Sequence, residues 1–369
     1  MEKKEPIRVA HIMGKMLGGG VEAFVMNYYR NIDRTKVQFD FIIDNDSAYV
    51  PREEIESLGG RIIEVPPYQH IFQYIKVLTA VLKKNKYKIV HSNINSLSVF
   101  PLFCAAIAGV PVRIAHSHST TNKKEWKKNI IKNILKPFSK LFANQYFCCT
   151  EHAGRWLFGN KFFDTGRVII INNAIDVQRF NFDLNKRNIM REKLNVEDKI
   201  VIGHVGRFIP QKNHERIVEI FYKFHKINKN SVLLLIGDGK LKGNIEELVK
   251  SMNLEESVLF LGQRDDVNDI FQAMDIFLFP SLYEGLGMVL IEAQCSNLEC
   301  VASTEVPKVV KINDNFKFIS LDSSSDAWVK NILDSISNLN RHDCTQAISN
   351  AGYNIKVEAR KLEERYLNM

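Results

Sequence analysis

The sequence predicts an α/β protein made of two doubly wound parallel-sheet domains. Short apolar strands alternate with helical patterns along almost the whole chain, an order that is typical of βαβ units. The alternation occurs as two consecutive series, one in each half of the 369 residues. A chain of this length can build two domains with sizeable cores. We therefore expect each half to form its own sheet.

The two series set the expected domain boundary. In the first series we expect strands at residues 7–13, 38–44, 61–65, 89–91, 112–116, 145–150 and 167–172, with helices at 21–29, 73–85 and 97–108. In the second series we expect strands at 200–206, 232–237, 258–261 and 275–279, with helices at 214–228, 241–252, 267–274, from Met288 onward and at 357–367. The connector predicts an N-terminal domain, 1–176, and a C-terminal domain, 177–352. The last segment, 353–369, is expected to pack back on the first domain.

A glycine-rich turn follows the first strand. The pattern Gly18-x-Gly20-x-x-Ala23, with Asp44 at the end of the next strand, comes close to a dinucleotide-binding fingerprint. Such glycines bring the backbone close to a phosphate or a sugar, although a tight turn alone also needs them. An NAD-dependent oxidoreductase is therefore one open interpretation.

Composition and charge narrow the class of protein. The chain is 45% hydrophobic and 25% charged, as in ordinary globular proteins, and has no uncharged apolar run of the roughly 20 residues that a membrane span needs. None of the six cysteines has metal-ligand spacing, so we expect free thiols in a reducing cytoplasm. Residues 1–180 carry a net charge of +11 and residues 181–369 a net charge of −3. The basic half predicts an anionic partner: membrane lipid, a lipid-linked phosphate or nucleic acid.

Segment 123–142 combines an apolar stripe with lysines that lie mostly on the other side of the predicted helix. The stripe contains Trp126, Ile130, Ile131, Ile134, Phe138, Leu141 and Phe142, and the charges are Lys123, Lys124, Lys127, Lys128, Lys132, Lys136 and Lys140. Pro137 is expected to kink or end the helix. Two interpretations stay open: an interfacial helix on an anionic membrane, and a core helix with solvated lysines.

Polar residues of the second series follow the carboxyl ends of its strands, where open α/β sheets bind ligands. These residues are Arg207 and Lys212, residues 237–239, residues 262–266, and Glu284 to Gly287. A helix that begins near Met288 aims free N–H groups into its loop, which suits a phosphate, and Glu292 lies in its first turns, where it can accept from a ribose diol. Two cations, two glutamates and exposed amides at one edge favour a nucleotide diphosphate joined to a sugar. In the first series, His91, His116 and His118 fall at or just beyond strand ends and favour a site there too.

Taken together, these residues resemble the family-4 retaining glycosyltransferases of GT-B architecture, in which two Rossmann-like domains face each other across a cleft. The matching residues are 19–22, His118, Thr150 and Glu151, 173–176, 205–207, Lys212 and Asn213, 237–239, 260–262 and 284–292. The arginine–lysine pair with the two-glutamate motif is a specific signal, whereas the glycine triplet alone is not. Within the family, the chain looks most similar to bacterial capsule and exopolysaccharide transferases.

The resemblance implies that the protein transfers a sugar from a nucleotide-diphosphate sugar, expected to be a UDP sugar, with retention of configuration. The expected acceptor is a lipid-linked saccharide in capsule or exopolysaccharide biosynthesis. The resemblance further implies that Arg207 and Lys212 stabilise the departing diphosphate. It also implies that Glu292 holds the ribose and that Glu284 and His118 position the sugar. The other donor-binding residues are Gly19, Gly20, Gly237, Gln263, Arg264, Asp266, Gly285, Leu286, Gly287 and Met288. Neither a metal nor another cofactor is expected, and no covalent nucleophile is assigned.

Some positions depart from the family pattern. Ala174 stands where the family usually has glycine, 297–299 replaces a Gly-x-Pro, and 305–307 replaces a Gly-Gly pair. A non-hydrolysing sugar-nucleotide epimerase on the same architecture stays open beside the oxidoreductase. A nucleic-acid partner is not expected, because no recognition motif accompanies the charge. We expect a cytoplasmic protein, with peripheral contact to the inner face of the cell membrane as a hypothesis.

Overall fold

The structure is a computed structural model that describes residues 5–118, 126–337 and 339–369, with the backbone alone described for residues 126–129 and 131. It divides into two compact units, Met1–Ala174 with Ile355–Met369, and Ile175–Asn354. Within the described residues, each unit contains one parallel sheet. The fold class predicted from the sequence, two Rossmann-like parallel-sheet domains, is therefore confirmed.

The N-terminal unit contains seven strands and the helices between them, counted over the described residues. The strands are β1 (Ile7–Gly14), β2 (Val37–Asp44), β3 (Arg61–Val65), β4 (Ile89–Ser92), β5 (Val112–Ser117), β6 (Gln145–Cys148) and β7 (Val168–Ile170), and the helices are α1 (Gly20–Asn31), α2 (Arg52–Ser57), α3 (Ile71–Asn85), α4 (Val99–Ile107), α5 (Trp126–Leu135), α6 (Glu151–Phe158) and α7 (Asn160–Phe162). The strand order is β3-β2-β1-β4-β5-β6-β7. The order reverses between β1 and β4, a point where such sheets bind ligands.

The C-terminal unit repeats this architecture with six described strands. The strands are β8 (Ile200–Val205), β9 (Ser231–Ile236), β10 (Val258–Gly262), β11 (Ile276–Phe279), β12 (Glu299–Ser303) and β13 (Phe316–Ile319), and the helices are α8 (Val177–Phe180), α9 (Leu184–Leu194), α10 (His214–Ile227), α11 (Lys242–Ser251), α12 (Val267–Ala273), α13 (Met288–Cys295), α14 (Ser325–Ile336) and α15 (Thr345–Asn350). The strand order is β10-β9-β8-β11-β12-β13, which reverses between β8 and β11.

The last helix, α16 (Ile355–Leu367), belongs to the N-terminal unit. Its buried residues Ile355, Ala359, Leu362 and Tyr366 recur at helical spacing and lie in one apolar cluster with residues of α1. The last helix of the chain therefore packs against the core formed by the first strands and α1.

The segment after β5 differs from the core interpretation made from the sequence, and its helix is shorter than the predicted segment 123–142. Helix α5 ends at Leu135, and a 3₁₀ helix, Lys136–Lys140, continues around Pro137. Side chains of Ile130, Ile134, Phe138 and Leu141 are 50%, 60%, 50% and 64% exposed, so the core interpretation is wrong for them. Lys123 and Lys124 lie outside the described residues. Within the described residues, no helix is both long enough and apolar enough to cross a membrane.

Candidate active site

The loops that follow β8 and β11 are tied to each other at the reversal point of the C-terminal sheet. The N–H of Leu282 donates to the carbonyl of Gln211 (2.8 Å). In the same way, Nδ2 of Asn213 donates to the carbonyl of Pro280 (3.1 Å). Because neighbouring parallel strands end at one edge, residues 207–213 and 280–287 form one continuous surface.

Two predicted site residues are joined directly on this surface. Nζ of Lys212 lies 2.7 Å from Oε1 of Glu284, and the two side chains are 15% and 7% exposed. Gln211 Nε2 donates to the other carboxylate oxygen (3.3 Å), and the Lys212 ammonium lies 4.6 Å from the centre of the Phe279 ring. Lysine and glutamate thus form a nearly buried ion pair, and neither is a free charge.

Arg207 is placed differently from Lys212. Its side chain is exposed, and no described residue forms a hydrogen bond or ion pair with it. The glycines that follow β9 shape its loop. Gly237 has φ 134°, and a Cβ at that position would lie 2.2 Å from the carbonyl oxygen of Gly206. Gly237 is therefore needed because its backbone packs against the loop that carries Arg207.

The start of α13 is built to leave N–H groups free. Gly287, with φ 84°, occupies the N-cap position, and no side chain caps the helix. Gly285 is exposed, while Leu286 is buried and anchors the loop to the core. The first amides of the helix, from Met288 onward, are therefore available to an anion.

Glu292 lies one turn into α13 with a half-buried side chain. Burial raises the pKa of its carboxyl group to about 7, and the positive charge of Arg179 partly opposes this rise. Within the described chain, no hydrogen bond or ion pair engages the Glu292 side chain. A carboxylate in this position is ready to accept hydrogen bonds from a ligand.

Arg179 is a residue that the sequence analysis missed. From α8 its Nε donates to Oδ1 of Asn268 (3.0 Å), and its second guanidinium nitrogen donates to the carbonyl of Asp265 (2.8 Å). Arg179 therefore binds the loop after β10 through hydrogen bonds, and its positive charge also acts on the carboxyl group of Glu292. Its position in the connector between domains was the only sequence signal.

The loop after β10 contains Gln263, Arg264 and Asp266, which were expected to bind the donor. Gln263 is exposed, whereas Nε of Arg264 donates to Oδ1 of Asp266 (2.7 Å) and the two charges form an ion pair. Arg264 and Asp266 thus satisfy each other, which leaves Gln263 and the backbone as the groups most open to a ligand.

The glycine-rich turn of the N-terminal unit also has an internal partner. The carboxylate of Glu22 accepts from the N–H groups of Leu17 (2.9 Å) and Gly19 (3.0 Å), which caps α1. A Cβ added at Gly20 would meet no atom within 4 Å, so the space beside that residue is open. The amide of Gly19, expected to face a phosphate, is already engaged by Glu22.

His118 belongs to a connected series of polar side chains in the N-terminal unit. In order of contact, the members are His118, Asn93, His11, Tyr366, His91 and His116, with successive separations of 3.1, 3.3, 3.4, 2.6 and 2.9 Å. Burial lowers the pKa of His11 and of His118 to about 3 and the pKa values of His91 and His116 well below the usual range. All four imidazoles are therefore neutral. The sequence indicated three of these histidines but not His11, Asn93 or Tyr366.

One departure from the family pattern is explained by the backbone. Asn297, at the position expected to hold glycine, has φ 50° just after α13. Asparagine tolerates this left-handed conformation better than most residues, so it ends the helix as a glycine would.

Comparison with known proteins identifies the class. The model for "Glycosyltransferase Family 4" matches residues 18–179, and the model for "Glycosyl transferases group 1" matches residues 185–352. The putative glycosyltransferase EpsF of Bacillus subtilis is 35% identical over 309 residues, which cover 82% of this chain and 80% of that protein. The chain belongs to the glycosyltransferases of these families.

Two further similarities extend over nearly the whole chain. The UDP-Gal:alpha-D-GlcNAc-diphosphoundecaprenol alpha-1,3-galactosyltransferase of Escherichia coli is 26% identical over 381 residues, covering 98% of this chain and 97% of the relative. The crystal structure of Anabaena HepE in complex with UDP matches with a TM-score of 0.78 at 16% identity, covering 98% of this chain and 100% of that one. The second likeness shows a shared fold.

Proposed function

We propose that this glycosyltransferase transfers a sugar from a UDP-linked donor to a lipid-linked saccharide, with retention of configuration, in exopolysaccharide or capsule biosynthesis. The observation that carries the proposal is the group of hydrogen-bond donors at the edge of the C-terminal sheet, where β8 and β11 end. There Arg207, Lys212 and the uncapped start of α13 all offer donors to an anion. The proposed anion is the diphosphate of the donor.

Each group has a distinct part in the proposed reaction. As the bond between sugar and diphosphate breaks, negative charge develops on the leaving group, and preorganised donors stabilise it. Arg207 offers a planar pair of N–H groups and Lys212 a point charge. Glu292 accepts from the ribose hydroxyls. These two cations and the helix amides neutralise the phosphates, so we propose that turnover needs no metal and continues in the presence of a chelator.

The relatives support the donor and acceptor classes. The name of the E. coli relative specifies UDP-Gal as its donor and a sugar on diphosphoundecaprenol as its acceptor. That relative is matched over 97% of its length, so both domains take part in the similarity. The family relationship favours this transferase function over the oxidoreductase and the epimerase.

The test is a panel of UDP-, GDP-, ADP- and dTDP-linked sugars. Binding is measured by calorimetry, and transfer to an undecaprenyl diphosphate-linked saccharide is followed by mass spectrometry. The proposal expects UDP sugars to bind, and NMR of the product to show the anomeric configuration of the donor. Binding of NAD alone would revive the oxidoreductase, and an epimerised nucleotide sugar formed without acceptor would establish the epimerase. Inverted configuration in the product would overturn the retaining mechanism.

We also propose reversible contact between the N-terminal unit and an anionic membrane. The exposed side chains Ile130, Ile134, Phe138 and Leu141 follow one another at helical spacing. Nζ of Lys136 lies 5.3 Å from the centre of the Trp156 ring, and Nζ of Lys140 lies 4.9 Å from the centre of the Phe162 ring. An exposed apolar stripe on a basic half suits the boundary between lipid headgroups and acyl chains.

A further inference from the structure

We propose that Asn93 is a positioning residue that holds His118 in one tautomer, with the proton on Nε2 and a lone pair on Nδ1. In this tautomer His118 meets a hydroxyl group of the donor sugar as a hydrogen-bond acceptor. The identity of the sugar rests on the proposed function, whereas the tautomer follows from contacts within the N-terminal unit.

The orientation of the Asn93 amide is fixed by two backbone carbonyls. Its Nδ2 lies 3.4 Å from the carbonyl oxygen of Ile12 and 3.3 Å from that of His91. Carbonyl oxygens only accept, so the NH₂ group must occupy this side and the amide oxygen the other side. The orientation therefore follows from the chemistry of the surrounding groups.

The amide oxygen then decides the tautomer of His118. Oδ1 of Asn93 lies 3.1 Å from Nε2 of His118. Because an amide oxygen has no proton to give, Nε2 must donate and therefore carries a hydrogen. A neutral imidazole has a single N–H, and burial lowers the pKa of His118 far enough to keep it neutral. Nδ1 is consequently left with a lone pair.

The rest of the series agrees with one direction of donation. The NH₂ group of Asn93 faces Nδ1 of His11, so His11 carries its proton on Nε2 and donates toward the oxygen of Tyr366. Tyr366 in turn donates to Nδ1 of His91, whose Nε2 donates to Nδ1 of His116. Reversing the direction would place an N–H of His11 against the NH₂ group of Asn93. At the far end, Nε2 of His116 is buried without a partner in the described residues, so the direction is fixed by the contacts of Asn93 and not by that end.

This tautomer restricts what His118 can bind. A lone pair is repelled by ionised phosphate and carboxylate oxygens, which also only accept, but it attracts an O–H group. His118 therefore distinguishes a sugar hydroxyl from the diphosphate.

The tautomer is measured by NMR on the full chain labelled with ¹⁵N-histidine, with His118→Gln used for assignment. We expect the ligand-free protein to show protonated Nε2 and unprotonated Nδ1 at His118. In Asn93→Ala, we expect a mixture of tautomers. Tyr366→Phe is the matched control, because it removes a hydroxyl from the same series but leaves the Asn93 contact intact, so His118 should keep its tautomer.

Two results would overturn the assignment: Nδ1 protonated in the wild type, or an unchanged tautomer in Asn93→Ala. If the alanine variant does not fold, Asn93→Asp replaces it. A carboxyl oxygen still accepts from Nε2 there, so loss of the Nε2 proton would contradict the proposed contact.

The hydroxyl contact is tested by titration with UDP, UDP-glucose, UDP-galactose and UDP-N-acetylglucosamine. We expect at least one UDP sugar to shift the Nδ1 resonance of His118, and UDP alone to leave it in place. An equal shift with UDP would overturn the contact with a sugar hydroxyl, as would saturation with a UDP sugar that causes no shift. If calorimetry shows that none of the four binds, the proposed donor class fails while the tautomer result stands.

Discussion

Lys212 and Glu284 form a nearly buried ion pair with 2.7 Å between Nζ and Oε1. The pair joins the loop after β8 to the loop after β11. Because Glu284 already holds the ammonium group, the pair positions Lys212 before any ligand arrives. A donor diphosphate that binds Lys212 would share the lysine with Glu284. Such preorganisation is what makes a cation effective when charge develops during a reaction.

Replacing each cation by alanine should separate activity from stability. We expect both Arg207→Ala and Lys212→Ala to lower turnover roughly a hundredfold, about 3 kcal/mol, because each removes a group that is proposed to face developing charge. Only Lys212→Ala should also lower the free energy of unfolding, by about 3 kcal/mol, because it leaves the buried Glu284 unpaired. Exposed Arg207 has no such partner in the described chain, so its variant should stay within about 0.5 kcal/mol.

Initial rates and chemical denaturation of both variants check this prediction. Near-normal turnover in either variant would remove that residue from the phosphate site. Equal loss of stability in both would mean that the ion pair with Glu284 contributes nothing.

Glu292 should make both nucleotide binding and stability depend on pH. Its pKa is raised from the ordinary 4.5 to about 7, so the folded state holds a proton that the unfolded chain has released across this range. The free energy of unfolding that this group contributes therefore falls as pH rises from 4.5 to 7. We expect Glu292→Gln, which cannot ionise, to melt at a higher temperature than the wild type at pH 8, with a smaller difference at pH 5.5.

The same substitution should weaken the binding of UDP, because the ribose loses a charged acceptor. Hydrogen bonds to charged groups contribute about 1.5–3 kcal/mol, so the Kd should rise roughly tenfold to a hundredfold. In the wild type, UDP affinity should decrease as pH falls below 7, and Glu292→Gln should lack that part of the dependence. Glu284→Gln is the control: its amide oxygen can still accept from Lys212, so we expect UDP affinity to be retained while transfer falls. Equal losses of UDP affinity in both variants would contradict the separate roles of the glutamates.

Gly237→Ala should disturb the Arg207 loop from a distance. A Cβ at 2.2 Å from the carbonyl oxygen of Gly206 forces the backbone to move, and φ 134° is unfavourable for alanine. We expect a loss of roughly 1–3 kcal/mol in stability and at least a tenfold lower turnover, because a misplaced cation stabilises the leaving group poorly.

Gly243→Ala is the matched control for this backbone effect. Gly243 lies in α11, and no atom lies within 4 Å of the added carbon. That variant should be as stable as the wild type or about 0.5–1 kcal/mol more stable, with full activity. If Gly237→Ala behaves in the same way, the close packing against Gly206 has no functional consequence.

The sequence predicted most of the described strands and the edge at which they end, because apolar periodicity and punctuation by glycine are local signals. It did not predict β12 and β13, the last two strands of the C-terminal sheet. It placed Lys212 and Glu284 at neighbouring strand ends but did not predict their ion pair, which depends on side-chain packing across 72 positions. The contact between His91 and Tyr366 spans 275 positions and needs α16 to lie against the first sheet. Arg179 likewise acquires its role only through Asn268, 89 positions away. Contacts of this kind have no local pattern.

Membrane contact should depend on the apolar stripe after β5. We expect the double variant Ile134→Ser/Phe138→Ser to bind phosphatidylcholine vesicles containing phosphatidylglycerol roughly thirtyfold more weakly than the wild type. Half-burying two large apolar side chains in lipid contributes about 2 kcal/mol in total. Flotation at low and high salt measures this effect. The weaker binding of the double variant should persist at both salt concentrations, because salt does not screen the apolar contribution.

Charge is expected to act differently in the same experiment. Replacing Lys124, Lys127, Lys128 and Lys132 by glutamine should weaken binding mainly at low salt and only to vesicles with anionic lipid, since each lysine near such a surface contributes about 1 kcal/mol that salt screens. Ile189→Ser/Ile227→Ser is the matched control, because both isoleucines are 65% exposed but lie in the C-terminal unit. That control should float like the wild type. If the stripe variant also floats like the wild type, or if wild-type binding does not require anionic lipid, exposure of the stripe does not reflect membrane contact.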